Sequence, residues 1–124
     1  MSLVPENLQY TKDHEWALFE GGVATVGVTD HAQRELGDIV FVELPKVGAR
    51  LNAGESFGTI EAVKTVAELY APVSGVVAEV NAALASDAGV VNQDPYGKGW
   101  IFKVTADKSP QTELMSAADY NKLI

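Results

Sequence analysis

The 124-residue sequence predicts a mainly β protein with one short internal helix and a C-terminal helix. Two observations carry that reading. The apolar runs are short and punctuated by Gly and Pro, the signature of many strands joined by turns. The composition, 47% hydrophobic and 21% charged, is that of an ordinary globular chain. At this length, folding hides roughly two-thirds of the unfolded surface, which supplies a core without covalent staples. Staples are in any case excluded, because there is no cysteine. Its absence also removes thiolate zinc sites, iron–sulfur ligation and a cysteine nucleophile.

Taken in order, Trp16 to Phe19 and Val23 to Val28 read as a hairpin about Glu20-Gly21-Gly22, whose glycines supply the positive φ of a tight turn. Thr29 or Asp30 caps a short helix through Leu36, and Gly37 stands where its C-terminal cap belongs. Ile39 to Leu44 is a continuous β-rich run stopped by Pro45. Brief strands follow at Arg50-Leu51, Ser56 to Val63, Thr65 to Tyr70 and Gly75 to Val80, then a helical turn at Ala82 to Ala85. Asn92 to Gly99 is turn-rich and Trp100 to Val104 is the last strand. Ser109-Pro110 opens a helical segment over about 110–123, with Leu114, Ala118 and Leu123 on the face that packs. The expected organisation is one domain over 1–124, its core about 8–105.

Nine basic and seventeen acidic side chains give a net charge of −8. Such a chain repels phosphate backbones and anionic lipid, so neither nucleic acid nor a membrane surface is expected as a partner. No apolar run has the length of a bilayer span. Charges interrupt the N-terminus too early for a signal peptide and no Arg/Ser-rich transit segment is visible. The expected location is a bacterial cytoplasm, or the mitochondrial matrix for a processed eukaryotic form. His14 and His31 read as a strand histidine and a helix N-terminal histidine; they have no third ligand at metal-site spacing, and neither lies in a nucleophile motif, so no metal and no catalytic residue are expected.

One lysine stands apart. Between Arg50 and Lys98 the only basic residue is Lys64, among six acids: Glu55, Glu61, Glu68, Glu79, Asp87 and Asp94. It sits between two apolar runs, so a hairpin folding at Lys64, with Ala62 and Val63 opposite Thr65 and Val66, would project it from the tip. Charge and position fit two readings equally: a solvated lysine that keeps an edge soluble, or an amine that is acylated, loses its charge and becomes a tether.

The local word bears on that choice. Gly58-Thr59-Ile60-Glu61-Ala62-Val63-Lys64-Thr65, followed by Pro72-Val73-Ser74-Gly75, resembles the lipoyl-attachment motif, with Glu61 three residues before the lysine and Gly75 eleven after it. More of the chain resembles one branch, the H proteins of the glycine cleavage system. The matching words are His14-Glu15-Trp16, Val26 to Ala32, Gly37 to Pro45, Ala71 to Gly75, Val80-Asn81, Asn92, Asp94 to Gly97 and Gly99-Trp100.

That resemblance implies a flattened β-barrel or sandwich of two small sheets, the lipoyl-domain hammerhead, with lipoic acid joined by an amide to Lys64. It implies a non-catalytic carrier that takes an aminomethyl group from a pyridoxal-phosphate glycine decarboxylase to a tetrahydrofolate-dependent aminomethyltransferase. A flavin dihydrolipoyl dehydrogenase then reoxidises the arm, and a lipoate ligase or a lipoyl/octanoyl transferase installs it. It also implies a cleft that shelters the loaded arm, matching Glu15, Leu36 and Glu68 here, with Asp13 and Glu35 nearby. Read without the family, Glu15 is a solvated strand residue. A monomer is the expected state. Two alternatives remain open: an H-like paralogue used for lipoate relay, and a biotinyl or lipoyl domain of another complex. Biotinyl sites usually place Met on both sides of the lysine, whereas Val63 and Thr65 flank Lys64.

Overall fold

The computed structural model describes residues 3–107 and 114–124. In chain order the elements are β1 (Gln9–Tyr10), β2 (Glu15–Glu20), β3 (Val23–Val28), α1 (Asp30–Leu36), β4 (Ile39–Val42), β5 (Arg50–Leu51), β6 (Ser56–Ala62), β7 (Val66–Tyr70), β8 (Gly75–Val80), α2 (Ala83–Ser86), α3 (Val90–Gln93), β9 (Phe102–Ala106) and α4 (Ala117–Leu123).

The strands form two antiparallel sheets, one of six strands in the order β1-β2-β3-β9-β8-β5 and one of three in the order β4-β6-β7. Neither closes on itself, so the sandwich half of the expectation holds and the barrel half does not. The core lies between the sheets. Ala24, Val26, Val77, Phe102 and Val104 come from the larger sheet and meet Ile39, Val42, Ile60 and Leu69 from the smaller. A second apolar cluster, Leu8, Tyr10, Trp16, Ala117 and Tyr120, fastens α4 to β1 and β2. Tyr10 and Tyr120 stack there with ring centres 4.7 Å apart.

Local chemistry explains most elements. Glu20 pairs with Val23, so the first hairpin turns on Gly21 and Gly22 at φ 58° and 82°, the doubly positive turn that matches strand twist. The Thr29 side chain accepts the Ala32 N–H at 3.1 Å and caps α1. Gly37 closes that helix at φ 83°. Most words of the resemblance are structural. Trp16 donates its indole N–H to the Pro95 carbonyl at 3.0 Å and lies against Gly27, where no Cβ would fit. The Asn92 carbonyl oxygen takes the Ile39 N–H at 2.9 Å while its amide donates to Gln33 and to the Gly37 carbonyl, tying α3 to the end of α1.

Four expectations need correction. The C-terminal helix occupies Ala117–Leu123 after a Ser116 cap, and Ala117 and Tyr120 are its buried residues. Ala118 and Leu123 face water, and Leu114 precedes the helix. One aromatic anchor replaces the aliphatic stripe. The proposed opening at Ser109-Pro110 lies outside the described residues. Residues 90–93, read partly as turn, form the helical turn α3. His14 lies in the β1–β2 connection rather than in a strand, with φ 69°. Finally, the hairpin at Lys64 turns on two residues, Val63 and Lys64. Glu61 pairs with Val66, and the Ala62 N–H bonds the Thr65 carbonyl at 2.8 Å. A turn centred on Lys64 alone would leave one residue to reverse the chain, too few to close the ladder.

Candidate functional site: an exposed lysine and an acid-walled cleft

β6 and β7 form the longest hairpin of the smaller sheet, and Lys64 is exposed at its apex. Among the described residues it makes no hydrogen bond and no ion pair. The apex itself is held. The Val63 N–H bonds the Asp38 carbonyl at 3.0 Å, so the tip is tied to the start of β4. A fixed turn with a free side chain holds the root of the lysine at a constant position while its four methylenes let the amine swing.

Glu61 lies beside the tip, in register with Phe41 on β4 and Val66 on β7. Gly75 does not join it. It opens β8 in the other sheet, opposite Leu51 and Ala106, where an added Cβ would collide with the Thr105 carbonyl oxygen.

Two adjoining hollows flank β7. The smaller is lined by His14, Ala32, Glu35, Leu36, Ala67 and Glu68, among others, with Asp13 at its edge. The larger, lined by Thr11, Lys12, Asp13, Glu15, Gly54, Tyr70, Ala71 and Met115, shares Asp13 with it. The Tyr70 hydroxyl donates to Glu68 at 3.1 Å and so links the two. Leu36 and Glu68 therefore line one hollow, while Glu15 lines the other, one compartment further from the tip. At the usual strand rise, the Glu68 backbone is about 13 Å from that of Lys64.

Glu15 is not the solvated residue that sequence alone suggests: it is 1% exposed. Its carboxyl receives the Thr11 hydroxyl at 2.6 Å and the Tyr70 N–H at 3.2 Å. Burial dominates these stabilising contacts and pushes its pKa up to about 8. Near neutral pH the group is a buried carboxylic acid facing a hollow. Sequence reading missed Thr11 and Tyr70, which position it, and His14, which walls the smaller hollow. The His14 Nδ1 is 2.8 Å from the Tyr120 hydroxyl, itself 2.8 Å from Thr29 Oγ1. Burial, and then the neighbouring His31, lower the His14 pKa, favouring the neutral ring.

The raised pKa of Glu15 has a testable consequence. Between pH 4.5 and 8 the unfolded carboxyl ionises while the folded one stays protonated, so folding stability falls as pH rises through that window. A Glu15→Gln variant does not titrate. Its stability relative to the native chain is expected to be near zero at pH 4 and to grow toward pH 8, at ~1.4 kcal/mol for each pH unit over which the two states differ. Urea melts at several pH values check this; a difference independent of pH would contradict it.

A sandwich with an exposed lysine on a fixed hairpin apex, without a partner among the described residues, and an acid-walled cleft along the same hairpin is the arrangement that a swinging-arm carrier needs. Comparison with known proteins agrees over almost the whole chain. The glycine cleavage H-protein family profile matches residues 8–124. A glycine cleavage system H protein of Rubrobacter xylanophilus is 56% identical over 120 residues, covering 97% of this chain and 94% of the relative. One from Chlorobaculum parvum is 57% identical over 124 residues, covering 98% and 97%. The crystal structure of a glycine cleavage system H protein from Mycobacterium marinum superposes with a TM-score of 0.90 at 42% identity, covering 96% of this chain and 97% of that one. The chain belongs to the glycine cleavage H-protein family. With that membership goes the lipoyl-carrier role in glycine cleavage.

Proposed function

We propose that Lys64 is the lipoyl attachment site and that the chain carries its arm among the glycine cleavage enzymes without catalysing a step itself. The observation that carries this reading is the exposed amine of Lys64, unpaired among the described residues, on a turn whose backbone is pinned to Asp38. The residues present fit the group: the amine is free for an amide bond, and the hollows along β7 are mostly apolar with carboxyls at Asp13, Glu15, Glu35 and Glu68. A bound lipoyl group would supply the disulfide that takes up and gives back carbon and electrons. The chain supplies the tether, the shelter and the charge.

Each part follows from physical chemistry. Tethering replaces diffusion with a high local concentration at each docked site. The net −8 favours encounter with basic rims and release from them, both weakened by salt. Zero cysteine leaves no resident thiol to exchange with a disulfide on the arm. Glu15 holds its proton until a cation arrives. An ammonium-bearing cargo beside it would lower its pKa, the proton would pass to water, and a charge-assisted hydrogen bond would remain.

The partners proposed are the decarboxylase, the aminomethyltransferase, the dihydrolipoyl dehydrogenase and a lipoylating enzyme, and the compartment a bacterial cytoplasm. No helix among the described residues is long and apolar enough to cross a membrane. Reconstitution tests the reading: lipoylated protein is expected to support glycine-dependent carbon dioxide exchange with the decarboxylase. Correctly lipoylated protein that supports no exchange would favour the lipoate-relay paralogue instead.

A further inference from the structure

We infer that the edge of the smaller sheet beside Lys64 is the docking face for the enzyme that acylates this lysine, a partner with an apolar socket and a basic rim. This rests on the proposal that Lys64 is acylated.

The pairing of β4 with β6 carries the inference. Ile39 pairs with Ala62 and Phe41 with Glu61, so Val40 is an extra residue without a partner. The irregularity is a β-bulge, which turns consecutive side chains to one side. Ile39 and Val42 stay in the core at 4% and 2% exposure, while Val40 and Phe41 face water at 59% and 46%. β4 is an edge strand. Large apolar groups on an exposed edge are a liability that folds ordinarily blunt with charge. Here the apolar surface extends to the apex: Val63 and Val66 are 71% and 58% exposed. Phe41, Glu61 and Val66 stand in one row across the three strands. The Val63–Asp38 bond holds the apex against the start of β4.

The charge around this patch selects the partner. The next row on the same face is Glu43, Thr59 and Glu68, with the Glu43 N–H bonded to the Thr59 carbonyl and Thr59 paired with Glu68. With Glu61, three carboxylates border the apolar patch, and Lys64 is the only basic side chain between Arg50 and Lys98. A basic rim around an apolar socket complements that pattern. Reach selects the acylating enzyme among basic-rimmed partners. An unmodified lysine extends only one side chain beyond the turn, so the enzyme that acylates it must press on the surrounding residues. Enzymes visited by the completed arm can stand further off.

The test uses purified unmodified chain, an ATP-dependent lipoate ligase and lipoate, with acylation followed by mass. The double variant Val40→Ser/Phe41→Ser alters only exposed side chains, and a thermal melt like the native one establishes its fold. Loss of two apolar anchors is expected to raise KM for the carrier roughly ten-fold or more, with kcat within about two-fold. Glu43→Lys is expected to raise KM at low salt, and the difference is expected to shrink as salt rises. A folded double variant acylated with native KM overturns the docking face while leaving the carrier reading intact. A native chain that dimerises through the patch, with the dimer lost in the double variant, overturns it in favour of a second copy as occupant. Failure of the native chain to be acylated at Lys64 would count against the carrier reading itself.

Discussion

Lys64→Arg is expected to abolish acylation completely while leaving the melting temperature within about a degree of the native chain, the usual outcome for a surface substitution away from structural features. The two halves rest on different facts. Arg cannot form the amide, because its guanidinium stays protonated. The fold does not notice, because the Lys64 side chain is exposed and holds no partner among the described residues, while the turn is closed by backbone bonds from Ala62 and Val63. Acylation is checked by intact mass after incubation with ligase and lipoate, and stability by calorimetry. A variant that fails to fold would mean that the side chain has a structural duty, and that the free amine has been misread.

Gly75→Ala is expected to have the largest effect on stability. An added Cβ meets the Thr105 carbonyl oxygen and crowds Val104, both on β9 at the centre of the larger sheet. Backbone cannot step aside as a flexible side chain can, and overpacking of this kind costs about 3 kcal/mol or more. For a chain of this size, that lowers the melting temperature by on the order of 10 °C. Below its transition the variant is expected to be acylated at a near-native rate, because the position serves strand packing and does not lie beside Glu61 at the apex. Unchanged stability with lost acylation would instead make Gly75 a residue that the ligase touches.

The parts legible in the sequence are those set by neighbours in the chain. Gly21 and Gly22 announce a doubly positive turn, and Thr29 and Gly37 bracket α1, because each acts within a few residues. Lys64, proposed as the carrier site, stands out in one dimension: a lone cation among acids marks it, and the local word around it, rather than the charge, favours a tether over a solvated turn. The cleft was only partly so. It assembles from the β1–β2 connection, α1 and β7, and no local pattern states that Glu15 is buried beneath Tyr70. Asp13 and Glu35, which the resemblance puts only nearby, line the hollows together with Glu15, Leu36 and Glu68. The anchoring face of α4 was misread for a related reason. Tyr120 is selected by stacking on Tyr10 and bonding to His14 and Thr29, which are distant in sequence. The bulge at Val40 is equally invisible, since Ile39 to Leu44 reads as an unbroken strand until its partner is known.

Lys64 stands in the open on a bend tied to the Asp38 carbonyl, and its amine is the one for which we propose a single modifying chemistry. The most direct measurement is the mass of the peptide containing Lys64 after the unmodified chain has been treated with lipoate, ATP and ligase. One lipoyl increment on Lys64, with every other lysine unaltered, is the predicted result. An increment on a different lysine, none at all, or a biotin-sized adduct on Lys64 in protein taken from cells, would contradict it.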